Sequence, residues 1–589
     1  MLIFLTGLVD AHPLLLYRKC FGFVILLELI WFSDHAAEVM SQGFSPVTPA
    51  ELPFDVPLTP FTLDVCLVIG CFTAVCFVAL DASSRTSVPL LVVYSYLRIS
   101  DFTNWNNHYY LNMLELCLFC LTDCDRSVRH SSSCDSVREI ERNAPSDIMD
   151  TSESLLNYPV ACSRSELPEE PRPAAPSWYY FTFRFLLCWT YFMAGVSKIS
   201  EAWLSGYITE TMLHNWDFPL VNLLVPEHIT LLQLAQLLAW GGLLLDLLGG
   251  PILLVAATLG WRLATYTCLA MFVPFHLTNL LWLFQSIQFF PLNMLSTTLL
   301  FLPTTLTTVT AKRRPTFSWP VAALALVIVI GQAALSTRRF FLFGNASVWE
   351  INEITEVTAL HHEFSWRMKS KAIRDSIPHP LLEEKHLKLG YFTAANWETG
   401  AKSILSTYSL MPRGTTPHRS LIVQFARRKM AQGKATAYQL GSNHWLAVCG
   451  RPFQQVIDSR FDLLDSREQA WPPPLMPFPL PNRWRDIIEE DLQSWAPFNN
   501  EYFTLSRESG LVANPLLHLS SEVQPLYLRC LLDAQITVLL RDIGAVNCNG
   551  PDGIVELKSG KRWEISGQGI WSLVWRMKWI HPNAVVRFT

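Results

Sequence analysis

Charged residues are scarce in this chain. Asp, Glu, Lys and Arg make up 16% of its 589 residues, whereas hydrophobic residues make up 50%. Because soluble globular domains contain about 25% charged residues, this shortage is typical of a membrane protein. The formal net charge of -5 also lacks the basic surplus that nucleic-acid binding requires. The composition therefore favours the lipid bilayer as a partner and excludes nucleic acid.

Metal-binding cysteine motifs are missing too. The 14 cysteines include no CxxC pairs that flank histidine ligands, and many of them lie in apolar runs, where small buried thiols are common. The cysteines in apolar runs are Cys66, Cys71, Cys76, Cys117, Cys120, Cys188 and Cys268. In the C-terminal part, Cys449, Cys530 and Cys548 allow at most one internal disulfide. We expect no zinc or other metal site.

A signal-peptide cleavage site is a further absence. Arg18 and Lys19 precede the apolar run Phe21–Phe32, and no small-residue cleavage motif follows that run. We therefore predict an uncleaved first span with a cytoplasmic N-terminus.

Long apolar windows occupy the first part of the chain. They lie at about 14–33, 62–80, 87–99, 109–121, 178–198, 229–257, 261–284, 289–303 and 318–336. Several are shorter than the roughly 20 residues that a straight span needs, which indicates broken or re-entrant segments around a protein-enclosed cavity. We predict a multi-pass membrane α-helical bundle and leave the number of spans open.

Composition divides the chain into four parts. Residues 1–122 hold the N-terminal transmembrane helices, and residues 123–177 turn to Ser, Arg, Asp, Glu and Pro, which predicts a disordered loop. Residues 178–337 hold further transmembrane helices. Residues 338–589 contain no further span, and we expect them to form a mixed α/β, β-rich domain that ends in a small β-rich region.

Two local patterns describe the C-terminal part. Thr416–Gln432 has the spacing of an amphipathic helix. Gly553–Ile565 predicts a β-hairpin that turns at Ser559 and Gly560.

Basic residues indicate the orientation of the last span. Lys312-Arg-Arg314 precedes it, which favours a cytoplasmic side there and places the C-terminal domain on the lumenal or extracellular side. Asn345-Ala-Ser347 follows the span directly and is an N-glycosylation acceptor, in agreement with this orientation. Chance matches to such a triplet are common.

Lys198 closes the otherwise apolar run Trp178–Lys198. A charged amine at membrane depth is costly, and burial there favours its uncharged form, which is a base. The neighbouring Ala194 and Gly195 are small enough to let another helix or a flat ligand approach closely. Lys198 is thus a candidate base, although the position also fits a lysine that extends to the membrane interface as an anchor.

Two polar clusters in apolar surroundings add hydrogen-bonding groups. In the first, Asn107 and His108 need partners in a low-dielectric medium, either a polar ligand, a lysine or a facing helix. In the second, His276 and Asn279 lie on one helical face, and Pro291 starts or kinks a helix soon after them. Together with the candidate base, these clusters suggest proton chemistry inside a bilayer.

Asp246 is a carboxylate within an apolar run, Gly241–Leu247. A carboxylate at that depth needs a cation, and we expect Arg262 or Arg184 to be its partner in a structural role.

Several of these motifs resemble the vitamin K-dependent γ-glutamyl carboxylase family and its shared membrane domain. They occur in the family's order over about 13–480. The matching segments are Trp105–His108, Tyr191–Tyr207, Gly241–Leu247, Phe275–Asn279, Phe290–Leu295, Phe364–Met368 and Arg451–Leu463.

The resemblance implies a carbon–carbon lyase of the endoplasmic reticulum membrane, with its C-terminal domain in the lumen. Such an enzyme, a peptidyl-glutamate 4-carboxylase, oxidises vitamin K hydroquinone with O2 to the epoxide. The strong base that results removes a γ-proton from a protein glutamate, and CO2 then adds to that carbon. Its partners would be glutamate-containing secretory proteins that carry a propeptide.

The same resemblance assigns roles to individual residues. It makes Lys198 the catalytic base, which His108 orients or assists. The side chains expected to hold the quinol or its oxygenated products are Asn107, His276 and Asn279. The side chains that match the motif associated with the glutamate substrate are Ser365 and Trp366. A core aromatic is an equally good interpretation of the tryptophan.

The chain also departs from the animal enzymes of this family. Ser197 stands where a second lysine would precede the catalytic one, and Lys369-Ser-Lys371 replaces residues expected to be aromatic, neutral or histidine. The loop at 34–61 has no cysteine, so no disulfide can tie it to the C-terminal domain. The region after about 500 is shorter and only vaguely similar, which leaves propeptide binding open.

Two other functions fit the same residues. One is a related membrane enzyme that modifies a quinol without carboxylating glutamate. The other is a non-enzymatic membrane maturation factor or transporter, in which Lys198 and His108 are structural ties.

Overall fold

The structure is a computed structural model of the chain. The residues that it describes are 8–41, 58–80, 84–101, 106–124, 174–215, 229–282, 287–302, 319–342, 346–358, 364–366 and shorter segments between 373–463 and 502–576. Most of the predicted loop at 123–177 lies outside these residues. So do Thr416–Gln432, the predicted turn at Ser559 and Gly560, the basic cluster at 312–314 and the glycosylation acceptor Asn345.

Helices dominate the described chain up to residue 358. They are α1 His12–Ser41, α2 Pro60–Ala79, α3 Ser84–Ser100, α4 Asn107–Cys124, α5 Ser177–Ser197, α6 Glu201–Leu204, α7 Tyr207–Asn215, α8 Leu231–Leu244, α9 Gly250–Leu259, α10 Arg262–Trp282, α11 Phe290–Thr297, α12 Trp319–Leu342 and α13 Val348–Thr358. A π-helical segment, Leu245–Gly249, joins α8 to α9, and a 3-10 turn, Thr298–Phe301, follows α11.

Among the described residues, every apolar window predicted from the sequence is largely helical. In the described part of the chain, three helical stretches are long and apolar enough to cross a membrane: Pro60–Ala79, Leu231–Leu259 and Trp319–Phe341. The helix at Phe290–Phe301 is apolar but shorter, as the length of its window predicts. The described part of the chain is therefore mostly helical and contains three candidate membrane-spanning helices.

Local capping signals set where several helices begin. Thr59 caps α2, because its hydroxyl accepts from the backbone N–H of Thr62 at 3.1 Å. Thr230 caps α8 in the same way through Gln233, at 3.2 Å. At the start of α13, the backbone N–H and hydroxyl of Ser347 donate to Glu350 at 2.8 and 2.9 Å. These hydrogen bonds stabilise the carboxylate and lower the pKa of Glu350.

Aromatic side chains form the centre of the helical core. Phe119 of α4 lies 4.9 Å from Phe183 of α5, and 5.6 Å from both Phe21 and Tyr17 of α1, measured between ring centroids. These rings are almost fully buried. The packing fixes α1, α4 and α5 against one another, and α4 and α5 position the candidate residues Asn107, His108 and Lys198.

Glycines bring α5 into direct backbone contact with the π-helical segment and α9. A Cβ atom on Gly195 would lie 2.5 Å from the backbone nitrogen of Leu247. One on Gly250 would lie 2.9 Å from the carbonyl oxygen of Cys188. The close approach predicted at Gly195 is confirmed, and the two helical segments meet next to Lys198 and Asp246.

Two of the described strands lie before or between the helices, and the others follow residue 358. The strands are β1 Leu8–Asp10, β2 Ala174–Pro176, β3 Ile373–Arg374, β4 Ser376–Pro378, β5 His386–Lys388, β6 Gly390–Asn396, β7 Lys402–Ser406, β8 Tyr438–Val448, β9 Gln454–Gln455, β10 Tyr502–Arg507, β11 Leu526–Leu540, β12 Gly544–Asn549, β13 Ile554–Leu557 and β14 Trp563–Arg576. Strands β1 and β2 pair with each other, as do β4 and β5. The others form two five-stranded antiparallel sheets, ordered β3-β8-β6-β7 with β9 on β8, and β10-β14-β11-β12 with β13 on β11.

The hairpin predicted for Gly553–Ile565 is wrong. Both of its halves are strands, but β13 pairs with β11, with Arg529 opposite Ile554. Strand β14 also pairs with β11, with Leu526 opposite Trp575. Because β11 is 15 residues long, it pairs with β14 along one edge and with β12 and β13 along the other, so β13 and β14 are not paired with each other.

Candidate functional site

Lys198 is the C-cap residue of α5 and is only 6% exposed. Its Nζ donates a hydrogen bond to Oδ2 of Asp246 at 2.5 Å. The same nitrogen lies 4.6 Å from the centroid of the Trp203 ring. The carboxylate and the aromatic face stabilise an ammonium ion, whereas burial opposes it. Lys198 is therefore one half of a buried pair that points into the protein, rather than an isolated amine or an interfacial anchor.

The predicted partner of Asp246 is wrong. Arg262 is exposed at the start of α10, and Arg184 donates from Nε to the carbonyl oxygen of Leu300 at 2.7 Å. Asp246 instead meets Lys198, because the contact between Gly195 and the π-helical segment brings the two side chains together.

The backbone around Lys198 is held on several sides. The hydroxyl of Ser197 is fully buried and donates to the carbonyl oxygen of Ala194 at 2.7 Å. A lysine at this position would need a buried partner of its own, so the departure from the family pattern suits the packing. The indole N–H of Trp203 donates to the carbonyl oxygen of Ala239 at 2.8 Å, which fixes the ring over the amine.

His276 lies in α10 and is completely buried. Its Nε2 and the hydroxyl of Tyr191, on α5, share a hydrogen bond of 2.5 Å. Its Nδ1 has no hydrogen-bond partner among the described residues. The centroids of the Phe272, Phe275 and Phe290 rings lie 6.4, 5.0 and 6.1 Å from that of the imidazole. The histidine thus presents one unused nitrogen within an aromatic wall.

His108, near the start of α4, is brought to the same aromatic wall. It is 3% exposed, and its ring centroid lies 5.8 Å from that of Phe290. Its Nε2 lies 3.8 Å from Oε1 of Glu28 in α1. Phe290 therefore contacts both histidines, although they are far apart in the sequence.

The two candidate asparagines differ in their surroundings. Asn107 is the first residue of α4 and is 3% exposed, beside His108. Asn279 lies one turn after His276 on α10 and is partly exposed. Each asparagine thus accompanies one of the two histidines, as the motif spacing predicts.

Glu28 belongs to a buried polar network that sequence analysis missed. This residue is fully buried, and its Oε2 accepts from Nδ2 of Asn112 at 2.9 Å and from the hydroxyl of Tyr94. Arg98 donates to the carbonyl oxygen of Glu28 at 3.1 Å and lies 3.5 Å from its carboxylate. The network balances one buried carboxylate with one buried guanidinium behind His108.

The network extends across the domain to α11. Nδ2 of Asn293 donates to Oδ1 of Asn112 at 2.8 Å and to Oε2 of Glu115 at 2.9 Å. A sequence signal for this network exists, since Glu28 and Glu115 are carboxylates within apolar windows, where an unpaired charge is costly.

Ser365 and Trp366 are buried against the start of α4. Their exposed fractions are 1% and 0%. The Trp366 ring stacks on that of Tyr110 at 5.4 Å, and Phe364 meets the same tyrosine edge-on at 4.6 Å. Trp366 has a left-handed backbone with φ of 57°, a strained conformation for a bulky residue. The segment therefore contacts a tyrosine that follows His108 by two residues. Its tryptophan is consistent with a core aromatic as well as with a substrate contact.

Metal ligands are not gathered at this site. No group of three or more His, Cys, Asp or Glu side chains that could hold a metal ion occurs in the described part of the chain. The arrangement instead offers a paired amine, two buried imidazoles and aromatic walls, which are suited to proton transfer with a flat, apolar ligand.

Comparison with known proteins identifies the helical part of the chain. Residues 8–146 and 164–305 match the HTTM domain, and this match includes His108, Lys198, Asp246 and His276. The interruption falls within the stretch predicted as a loop. No solved structure matches the chain. Over these residues the chain is therefore similar to the HTTM domain.

Proposed function

We propose that this protein is a vitamin K-dependent γ-glutamyl carboxylase. It would couple the oxidation of vitamin K hydroquinone by O2 to the addition of CO2 to protein glutamate. The observation that carries the proposal is a lysine buried within the part of the chain that matches the HTTM domain, Lys198, two helical turns from the tyrosine that binds His276. A buried lysine at this depth is expected to have a functional role.

The residues present fit a flat aromatic quinol. Phe272, Phe275 and Phe290 surround His276 and offer apolar faces, while Nδ1 of the histidine can hydrogen-bond a quinol oxygen. Asn107 and Asn279 supply further amide groups beside the two histidines. Vitamin K hydroquinone, when bound, supplies the electrons that reduce O2 and thereby the strong base that the carboxylation needs.

Lys198 would accept the hydroxyl proton of the quinol in the first step. Only the free amine can do so. His108 would orient or assist, and its Nε2 faces the carboxylate of Glu28 at 3.8 Å. Because both side chains are almost fully buried, bulk water is kept from the reactive base.

The C-terminal region would bind the protein substrate. Trp366 packs on Tyr110, so Ser365 and Trp366 lie near the start of α4, which carries the first histidine. A glutamate side chain held by this segment would approach the site from the end of the helix. We further propose that substrates are secretory proteins with a propeptide, and that the enzyme is a glycoprotein of the endoplasmic reticulum with a lumenal C-terminal domain.

Labelled CO2 tests the proposal directly. Membranes that contain the protein should incorporate it into a glutamate-containing peptide and form vitamin K epoxide, both only when reduced vitamin K is added. Lys198→Ala should abolish both products, because the amine that accepts the quinol proton is lost. Lys19→Ala, a matched change at an exposed lysine of α1, should leave both rates unchanged.

Other outcomes would identify the competing functions. Carboxylation that survives Lys198→Ala would contradict the proposed mechanism. Epoxide without labelled glutamate would indicate an enzyme that modifies a quinol alone. Neither product from a folded wild-type protein would favour a maturation factor or transporter.

A further inference from the structure

The Lys198–Asp246 pair is one of the most closely fitted polar contacts in the described structure. Asp246 is 4% exposed and its carboxylate lies 2.5 Å from the amine. The aspartate stands in the π-helical segment Leu245–Gly249, an irregularity that is rare within helices and frequent at functional sites.

The surrounding backbone is shaped to hold this pair. Gly195 lets the π-helical segment approach α5, since any side chain there would overlap Leu247. A Cβ atom on Gly242 would lie 3.9 Å from Nζ of Lys198, so a small residue also borders the amine on α8. A simple surface ion pair would need no such fit.

Other titratable groups lie close to the pair. Asp246 acts electrostatically on Tyr191 of α5, which also neighbours Cys188. Tyr191 shares its hydrogen bond with His276 of α10. The carboxylate therefore contacts the amine and lies within electrostatic range of the tyrosine that bonds His276.

We propose that Asp246 is a positioning residue that acts through Lys198, holding its Nζ and accepting the ammonium proton so that the amine is free to take a proton from substrate. In this transfer an N–H bond of Lys198 breaks and an O–H bond of Asp246 forms, and no other reactant is needed. The inference rests on the proposed function and names a second residue of that same site.

Burial makes this exchange physically reasonable. The pair has no net charge either as ammonium and carboxylate or as amine and carboxylic acid. In water the charged form is strongly favoured, but removal from water penalises two charges and leaves two neutral groups nearly unaffected. A permanent structural ion pair would keep its proton on nitrogen and would block the base.

Acetylation of Lys198 tests the pair without relying on turnover. Membranes with wild-type protein, Asp246→Asn or Asp246→Glu are treated with acetic anhydride at neutral and at alkaline pH, and mass spectrometry measures the acetylation rate of Lys198. The acetylation ratio is the rate at neutral pH divided by the rate at alkaline pH. Epoxide formation is measured across pH in the same membranes. Asp64→Asn, at an exposed aspartate of α2, is the matched control.

The two measurements should move in opposite directions in Asp246→Asn. Without the carboxylate the ammonium is less stable, so the acetylation ratio should rise about tenfold. Epoxide formation should fall about a hundredfold, because the amine is no longer held in position to accept the quinol proton. Asp246→Glu should keep the wild-type acetylation ratio and recover part of the epoxide formation, with a shifted pH profile.

Several results would overturn the inference. They are an unchanged acetylation ratio in Asp246→Asn, wild-type epoxide formation in that variant, or a Lys198 that is not acetylated even at alkaline pH. If Asp246→Asn does not accumulate in membranes, wild-type epoxide formation by Asp246→Glu would contradict the positioning role. A changed ratio in a protein that oxidises no quinol would support the pair and refute the proposed function.

Discussion

Asn352 shows how one buried side chain can connect α13 to the end of α5. Its Nδ2 donates to the carbonyl oxygens of Val196 and Ile199 at 2.8 and 2.9 Å. Carbonyl groups in the last turn of a helix have no partner within the helix, so an external donor satisfies them. Because these two residues flank Lys198, the asparagine of α13 fixes the backbone on both sides of the proposed base.

Asn352→Ala should lower both stability and activity. It leaves the partly buried carbonyl oxygens of Val196 and Ile199 without this donor, which costs about 1–3 kcal/mol. We expect a lower melting temperature of the detergent-solubilised protein and a reduced rate of epoxide formation per folded molecule. Thr355→Ala, which removes a hydroxyl bonded within α13 itself, should have the smaller effect on epoxide formation. Equal effects of the two variants would contradict this role.

At the scale of helices, the contact between α5 and the π-helical segment decides the geometry of the proposed site. The contact is made by backbone atoms, since Gly195 has no side chain to separate them. The extra residue per turn in a π-helical segment turns the following side chains relative to a regular α-helix. As a result, Asp246 faces α5 while α8 and α9 remain continuous with it.

Gly195→Ala should therefore be harmful, although alanine usually stabilises a helix. Its Cβ would lie 2.5 Å from a backbone atom, so α5 and the π-helical segment must separate. Gly241→Ala, where nothing lies within 4 Å of the new Cβ, should be neutral or stabilise by about 0.5–1 kcal/mol. Thermal unfolding of both variants checks this difference, and equal melting temperatures would show that the contact is not tight.

Across the whole molecule, a buried polar network links helices that are distant in sequence. Glu28 of α1 is bonded to Tyr94 of α3 and Asn112 of α4, and Asn293 of α11 joins Asn112 to Glu115. Hydrophobic packing in a membrane protein is weakly specific, because lipid and core are equally apolar. Hydrogen bonds of this kind therefore define which helices pack together and how His108 is held.

Glu28→Gln should destabilise the whole helical domain. The change leaves Arg98 as a buried cation without its carboxylate, which costs about 3–5 kcal/mol when one partner of a buried pair is lost. We expect a lower melting temperature and weaker epoxide formation, because Glu28 also faces His108. Glu38→Gln, at an exposed position of the same helix, should change neither. A melting temperature unaffected by Glu28→Gln would contradict this role.

Sequence patterns predicted the helices better than the contacts between them. Apolar windows and the small residue at Gly195 are local signals, and both agree with the structure. The partner of Asp246 was mispredicted because it depends on a π-helical segment and on the approach of two helices, which local patterns do not report. Asn352 gave no signal at all, since an asparagine in an amphipathic helix is ordinary.

The β-region shows the same limit. Strand character at Gly553–Ile565 was recognised, but the partner of β13 was not, because the nearest strand in sequence competed with the longer β11. Pairing between strands depends on edges that become available only in the folded chain.

The cap at Ser347 has a consequence for biosynthesis. Its hydroxyl is committed to Glu350, and this serine is the third residue of the Asn345-Ala-Ser347 acceptor. A transferase that recognises the triplet needs that hydroxyl free and the chain extended. If a glycan is attached at Asn345, we expect it to be added while the nascent polypeptide is still emerging from the ribosome, before α13 forms.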